Sequence, residues 1–286
     1  MIGSDFVLHR PDALEDAVRL RAELGEDAVL YAGGTELLLV LKLGVIDVEH
    51  LIDLKRCGLG GIERTADAVR IGSTTTHREI ERDPVVAAHV PALSALARNV
   101  ANVRVRSAGT LGGNLAFAEP HADPPALLAA LDARVELAGP AGRRSLTIEE
   151  FLLDAFETAL EPDEIMTAVT IPLAEDGVRA TYRKIAILER PTVGVAVAGR
   201  LEGGRFAAAP AVVVGAVDER PIRVEAGMLA GASPDDEDAV AALAAAARDA
   251  VDPVDDLSGS ADYKRHLTEV LTRRTVRELA RSEGAA

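Results

Sequence analysis

Two glycine pairs set the terms on which this chain can fold. Tyr31-Ala32-Gly33-Gly34-Thr35-Glu36-Leu37 follows a short apolar run, and Gly109-Thr110-Leu111-Gly112-Gly113-Asn114-Leu115 precedes sequence that could be helical. Glycine admits positive φ and lets backbone N–H groups approach a ligand. Successive N–H groups at such a turn form an anion-binding concavity, strengthened where a helix begins. Two of them in one domain could hold both phosphates of a diphosphate-bridged cofactor. Taken singly, each pair also reads as a plain tight turn.

The segments around these pairs alternate. Asp12-Ala13-Leu14-Glu15 reads as an acidic N-cap with Glu three residues on, opening a helix through Leu24. Ala28 to Ala32 reads as a strand, Leu37 to Leu43 as a helix and His50 to Leu54 as a returning strand. This βαβ rhythm predicts a small mixed or parallel sheet with ligand-binding turns at its strand ends. Ile62–Arg64 and Val69–Gly72 flank Ala66-Asp67 as a hairpin, then Thr74 to Arg82 and Val85 to Val100 read as helices. A helix at Ala126 to Leu131 precedes strands at Val135 to Leu137, Arg144 to Thr147 and Ile165 to Ile171. Beyond Thr181, strands are expected at Tyr182 to Leu188, Val193 to Leu201 and Phe206 to Val217, the last after a Gly203-Gly204 hairpin turn. Helices at Asp236 to Val251 and Ser260 to Ser282 close the chain. The polar segment Leu173 to Arg179, which carries Asp176-Gly177, is the expected boundary.

Composition narrows the function classes. Only 3% of the 286 residues are aromatic and Trp is absent, so the core is built from Ala, Val, Leu and Ile. A net charge of −15 argues against a surface that tracks nucleic-acid phosphates. Cys57 is the only cysteine, which rules out an internal disulfide, a cysteine-ligated iron–sulfur cluster and a structural zinc site in this chain. Met1 to Arg10 lacks the pattern of a signal peptide, and the apolar run Leu37 to Leu43 is too short to span a bilayer. A cytoplasmic protein is the expectation.

Further candidates are weighed residue by residue. The usual dinucleotide and P-loop fingerprints are missing, so a diphosphate site must be of another design. Asn114 could bond a phosphate or close its own turn, and Arg106 could add a charge-assisted bond or sit exposed. Asp123 could accept from ribityl or ribose hydroxyls, or cap the helix that starts at Pro124. The hydroxyl-rich turn Gly72 to Glu79, with Thr76, caps a helix and could border the same cavity. Lys184 could present its ammonium to a phosphate or lie solvated on a strand. The scattered histidines lack metal spacing, and no nucleophile elbow supports Ser-His-Asp catalysis.

The order of these motifs resembles the flavin-binding medium subunit of molybdenum hydroxylases, the family of the carbon monoxide dehydrogenase medium subunit and the xanthine dehydrogenase flavin domain. The resemblance runs nearly end to end. It rests on Tyr31 to Leu38, Ile71 to His77, Val105 to Leu115 with Asp123, and Ser260 to Leu267. It implies an α+β fold of the p-cresol methylhydroxylase FAD-binding type. The FAD-binding domain would cover 1–176, with subdomains at about 1–56 and 57–176, and a smaller α/β C-terminal domain 177–286. Carried over, the FAD contacts are Tyr31, Ala32, Gly33, Gly34, Thr35 and Glu36 at the first turn. Gly109, Thr110, Gly112, Gly113 and Asn114 follow at the second, with Thr76 and Arg106 alongside. Asp123, a backbone contact at Ile165 or Met166, and Lys184 complete the set. After Lys184 the chain departs from the family pattern, with Ile185-Ala186-Ile187-Leu188 and a shortened connection through Arg190-Pro191.

The implied chemistry is electron transfer. A large partner subunit would hydroxylate substrate at a molybdopterin centre, and a small partner would carry two [2Fe-2S] clusters. FAD in this chain would pass the electrons to an external acceptor, within a dimer of heterotrimers. Two rivals belong to other classes: a self-contained flavin oxidase, and an assembly module without flavin. No general-base or covalent-flavin pair stands out for the first, and the retained glycines weigh against the second.

Overall fold

The computed structural model describes residues 5–175 and 177–281. Its first sheet is parallel, with Val7–His9, His50–Asp53 and Ala28–Tyr31 side by side in that order. Parallel neighbours need crossover connections, and the helices Leu14–Leu24 and Leu37–Lys42 lie in the intervening chain. Adjacent strand residues then face opposite ways. Ala28 and Ile52 pack with Ala17 on one side, while Val29 and Leu51 pack with Leu41 and Val48 on the other. The expected acidic cap is not made: the N-cap is Ala13, with no side-chain bond, and Asp12 pairs instead with Arg56.

The second sheet is antiparallel, ordered Ile62–Arg64, Ala68–Gly72, Ile165–Pro172, Arg134–Gly139, Gly142–Thr147. Its central strand arrives some ninety residues after its neighbour Ala68–Gly72, a pairing that no local pattern announces. Helices cover its inner face, and Leu93, Leu111, Leu115, Leu127 and Phe151 are fully buried there.

Three helical expectations change in this region. The run expected from Val85 to Val100 is two helices, Pro84–His89 and Pro91–Arg98. Proline at 91 bars the helical conformation at Val90, which takes φ −138 and ψ 57. The expected helix from Thr74 starts later, at His77–Arg82, because Thr76 and Glu79 form a capping box. An unexpected helix, Val103–Ala108, is capped by the Asn102 side chain. Gly112 and Gly113 likewise lie inside a helix, Leu111–Phe117, and not in a turn before one.

The third sheet runs Val178–Ile187, Arg190–Glu202, Ala211–Gly215, Ile222–Val224. Gly203 and Gly204 make the expected hairpin turn, both with positive φ. The strand expected from Phe206 to Val217 is divided: Arg205–Phe206 stops, and Ala211–Gly215 resumes after Pro210. Both faces of the long strand are buried. Val193, Val195 and Val197 meet the helices Glu237–Ala250 and Ala261–Arg281, while Ala196 and Ala198 join the core beneath the second sheet. The expected positions Asp176 and Ser282 lie outside the described residues. No described helix is long and apolar enough to cross a membrane.

Candidate functional site

Both glycine pairs open onto one cavity of about 530 Å³. The first pair also packs against the residues that lead into the second. A Cβ built on Gly33 would lie 2.1 Å from the Ala108 carbonyl oxygen and 2.9 Å from Gly109 Cα. Only glycine lets the first turn seat against the lead-in to the second. Gly34 adds the positive φ of 72° that redirects the chain into the helix Leu37–Lys42.

The two pairs dispose of their amide hydrogens differently. Among the described residues, none of the Gly33, Gly34, Thr35 and Glu36 N–H groups donates to a protein acceptor. Leu38 N–H bonds the Gly34 carbonyl, so these amides precede and open a helical turn. At the second pair the donors are spoken for. Leu111 N–H bonds Thr75 O at 3.0 Å, Gly112 N–H bonds Ser73 O at 2.9 Å, and Gly113 N–H bonds Thr110 Oγ1 at 3.0 Å. A Cβ on Gly112 would strike Ser73, and one on Gly113 would come 2.9 Å from Thr110 Oγ1. Gly112 serves packing against the Ser73 segment and Gly113 the cap of its own helix, whereas all four amides from Gly33 to Glu36 are free among the described residues.

Orphaned polar atoms line the same space. Ser73 Oγ, Asn114 Oδ1 and Arg21 Nε are buried without a hydrogen-bond partner among the described residues, and all three residues face the cavity. A buried polar atom left unpaired costs about 1–3 kcal/mol, so this wall is built for a partner that protein does not supply. The donors at 33–36 suit an anion; the hydroxyl and amide suit uncharged polar groups.

Of the sequence-derived candidates, Ala32, Gly33, Gly34, Thr35, Glu36, Gly109, Thr110, Gly112, Gly113, Asn114, Asp123 and Met166 line this cavity. Five others stand behind it. Tyr31 ends its strand beneath Lys55, whose ammonium lies 4.0 Å from the ring centroid. Thr76 caps its helix and bridges to Thr110. Arg106 gives its guanidinium to Glu81 and to the Val100 and Ala101 carbonyls, which braces the wall. Ile165 is enclosed with Ala17, Ala28 and Ile52.

Lys184 and Asp123 form a pair. Lys184 Nζ donates to Asp123 Oδ2 at 2.8 Å and to Asn99 O at 2.9 Å, and Tyr182 O–H donates to Asp123 Oδ1 at 2.9 Å. The expected capping bond from Asp123 to the helix Pro124–Ala130 is not made. Burial pushes the Asp123 carboxyl up, against the opposing pull of Lys184. Strand Val178–Ile187 thus clamps a cavity residue from behind.

Several cavity residues were not singled out in the sequence. Arg190 bonds Glu36 at 3.1 Å and pairs with Glu119 at 3.0 Å, tying the C-terminal sheet to the rim. Glu119 also bonds His121 Nδ1 at 2.9 Å. Burial raises the Glu119 carboxyl, but the His121 bond and the Arg190 charge outweigh it and leave the group lowered. Behind the cavity residue His121, Lys264 of the closing motif is buried and holds Asp256 at 2.6 Å, whose carboxylate lies 3.5 Å from His121 Nε2. His77 also lines the cavity, with its backbone N–H on Gly109 O at 3.0 Å. The Ser73–His77 run was legible as a capping segment, yet its inward side chains follow from where the second sheet sets it down.

Comparison with known proteins agrees with this geometry. A family described as the FAD binding domain in molybdopterin dehydrogenase matches residues 4–174, and one described as the CO dehydrogenase flavoprotein C-terminal domain matches residues 186–279. The carbon monoxide dehydrogenase medium chain of Afipia carboxidovorans is 34% identical over 96% of this chain and 97% of that protein. The xanthine dehydrogenase FAD-binding subunit of Escherichia coli O157:H7 is 29% identical over 96% of each. A solved structure of Hydrogenophaga pseudoflava carbon monoxide dehydrogenase superposes with a TM-score of 0.94 at 35% identity, covering 98% of both chains.

Proposed function

The chain belongs to the FAD-binding subunits of carbon monoxide/xanthine-type molybdenum hydroxylases, an oxidoreductase family, and we propose that within such an assembly it relays electrons. They would come from [2Fe-2S] clusters on a small partner subunit and leave to an external acceptor. A large molybdopterin-binding partner would carry the hydroxylation, in a cytoplasmic dimer of heterotrimers. The observation that supports this reading best is the meeting of both glycine pairs at one cavity, with unpaired amides on one side and orphaned polar atoms on the other.

FAD, when bound, supplies the capacity to take up an electron pair and release it to a second partner. The rest falls to this chain. The Gly33–Glu36 amides would receive the diphosphate without bringing a counter-charge into the core. Ala32 and the Gly109–Asn114 segment would flank it, with Met166 against the cofactor and Asp123 held ready by Tyr182 and Lys184. Tyr31, Thr76, Arg106 and Ile165 would act from behind, by fixing the wall. We place the division between the FAD-binding part and the C-terminal part within 173–179.

Purified chain is expected to be yellow and to release about one FAD on denaturation, the loading one site implies. Expression with its neighbouring genes is expected to co-purify a cysteine-rich chain and a larger one. A colourless protein that cannot be reconstituted with FAD would defeat the proposal. A monomer that turns over substrate alone would favour the self-contained oxidase.

A further inference from the structure

His77 is the most confined cavity residue with nothing to hold. Its side chain is 3% exposed, yet among the described residues neither ring nitrogen has a hydrogen-bond partner. Its position is fixed by the Thr76–Glu79 capping box and by its own N–H on Gly109 O at 3.0 Å. Ser73 Oγ and Asn114 Oδ1 on the same wall are equally unpaired. The wall is stitched together by Gly112 N–H to Ser73 O and by the Thr76–Thr110 bridge.

The chemistry of these three groups is uncharged. Burial, and after it the charge of Arg106, holds the imidazole down to about 4, so it is neutral at pH 7. A neutral imidazole has one donor and one acceptor, a hydroxyl has both, and Asn114 Oδ1 accepts. A phosphate oxygen only accepts and would leave the Asn114 oxygen unmet. Hydroxyls both donate and accept, so neighbouring hydroxyls of one ligand can meet all three groups.

We propose that His77, with Ser73 and Asn114, is a hydroxyl-binding wall that positions a sugar-alcohol or ribose portion of the cofactor, apart from the diphosphate seat at 33–36. The proposal rests on the FAD reading and adds to it a binding role for a histidine on a capping turn. FAD has two sources of such hydroxyls, the ribityl chain and the adenosine ribose.

The test uses the full-length apo chain, with wild type, His77→Phe and His77→Gln titrated with FAD, riboflavin and ADP. His77→Phe is expected to weaken FAD about tenfold, the loss of roughly one hydrogen bond, and His77→Gln to restore most of it. A parallel loss for riboflavin assigns the ribityl hydroxyls, and one for ADP assigns the ribose. Unchanged affinity of His77→Phe for all three ligands overturns the proposal. Wild type that binds no FAD overturns the cofactor reading itself. Should His77→Phe fail to fold, the imidazole nitrogens of ¹⁵N-histidine wild type decide by NMR. Saturation with FAD is expected to shift those of His77, and unmoved signals overturn the assignment.

Discussion

The turn at Gly33–Glu36 and the helix start at Thr110–Asn114 share a glycine pair followed by a polar residue, yet they dispose of their amides differently. The first leaves its amides unpaired beside the cavity. The second gives its amides to Ser73, Thr75 and Thr110, and offers the cavity the Asn114 side chain. Glycine is needed in both for close approach, but what approaches differs. At Gly33 it is the partner turn, at Gly112 the Ser73 backbone, and at Gly113 a capping hydroxyl. A glycine pair therefore reports crowding, and only the fate of the amides tells an anion seat from a packing joint.

The largest expected effect breaks the contact between the two. Gly33→Val would drive a side chain into the Ala108 carbonyl, where overpacking costs about 3 kcal/mol or more. Denaturant unfolding is expected to show that loss, together with absent flavin. A stable, yellow variant would mean that the turns do not need each other.

Acid comes next. The unfolded His77 titrates near 6.5 but the folded one near 4, so below 6.5 the unfolded chain binds the extra proton. Its contribution is complete above 6.5 and is lost as pH falls toward 4, by about 3 kcal/mol. Stability of wild type is expected to fall more steeply than that of His77→Gln over that window. Parallel curves would show that burial does not hold the imidazole neutral.

Smaller changes sharpen the contrast. Thr110→Val removes the acceptor of Gly113 N–H and is expected to cost about 1 kcal/mol, with modest change in FAD affinity. A loss of FAD binding larger than the loss of stability would make the second pair an anion seat after all. Gly113→Ala should change stability least, by about 0.5 kcal/mol or less, since alanine's helix preference offsets the push of its Cβ on the capping hydroxyl. Flavin content measured on both variants separates the two accounts.

Much of this fold was legible locally, and the failures have physical causes. Strand and helix periodicity at Ala28–Tyr31, Leu37–Lys42 and Ile165–Pro172 carried their element types. Pro91 and Pro210 divided elements that apolar pattern alone had joined. What Lys184 and Arg106 meet within the protein was not legible locally, because Asp123 and Glu81 are brought to them from distant segments. His77 was passed over as a histidine without metal spacing, since nothing local reveals that it lines a cavity.

By itself, the sequence determined the chemistry that could be present: two glycine pairs, a core without Trp, a lone cysteine and an order of motifs that a family shares. Those are properties of residues and their spacing. Tertiary structure alone decided which amides stay free, which cations are consumed and which neutral side chains face inward. A hydrogen bond goes to whichever partner arrives at bonding distance, and here the partners Ser73 and Gly112, or Asp123 and Lys184, arrive from separate strands, helices and sheets.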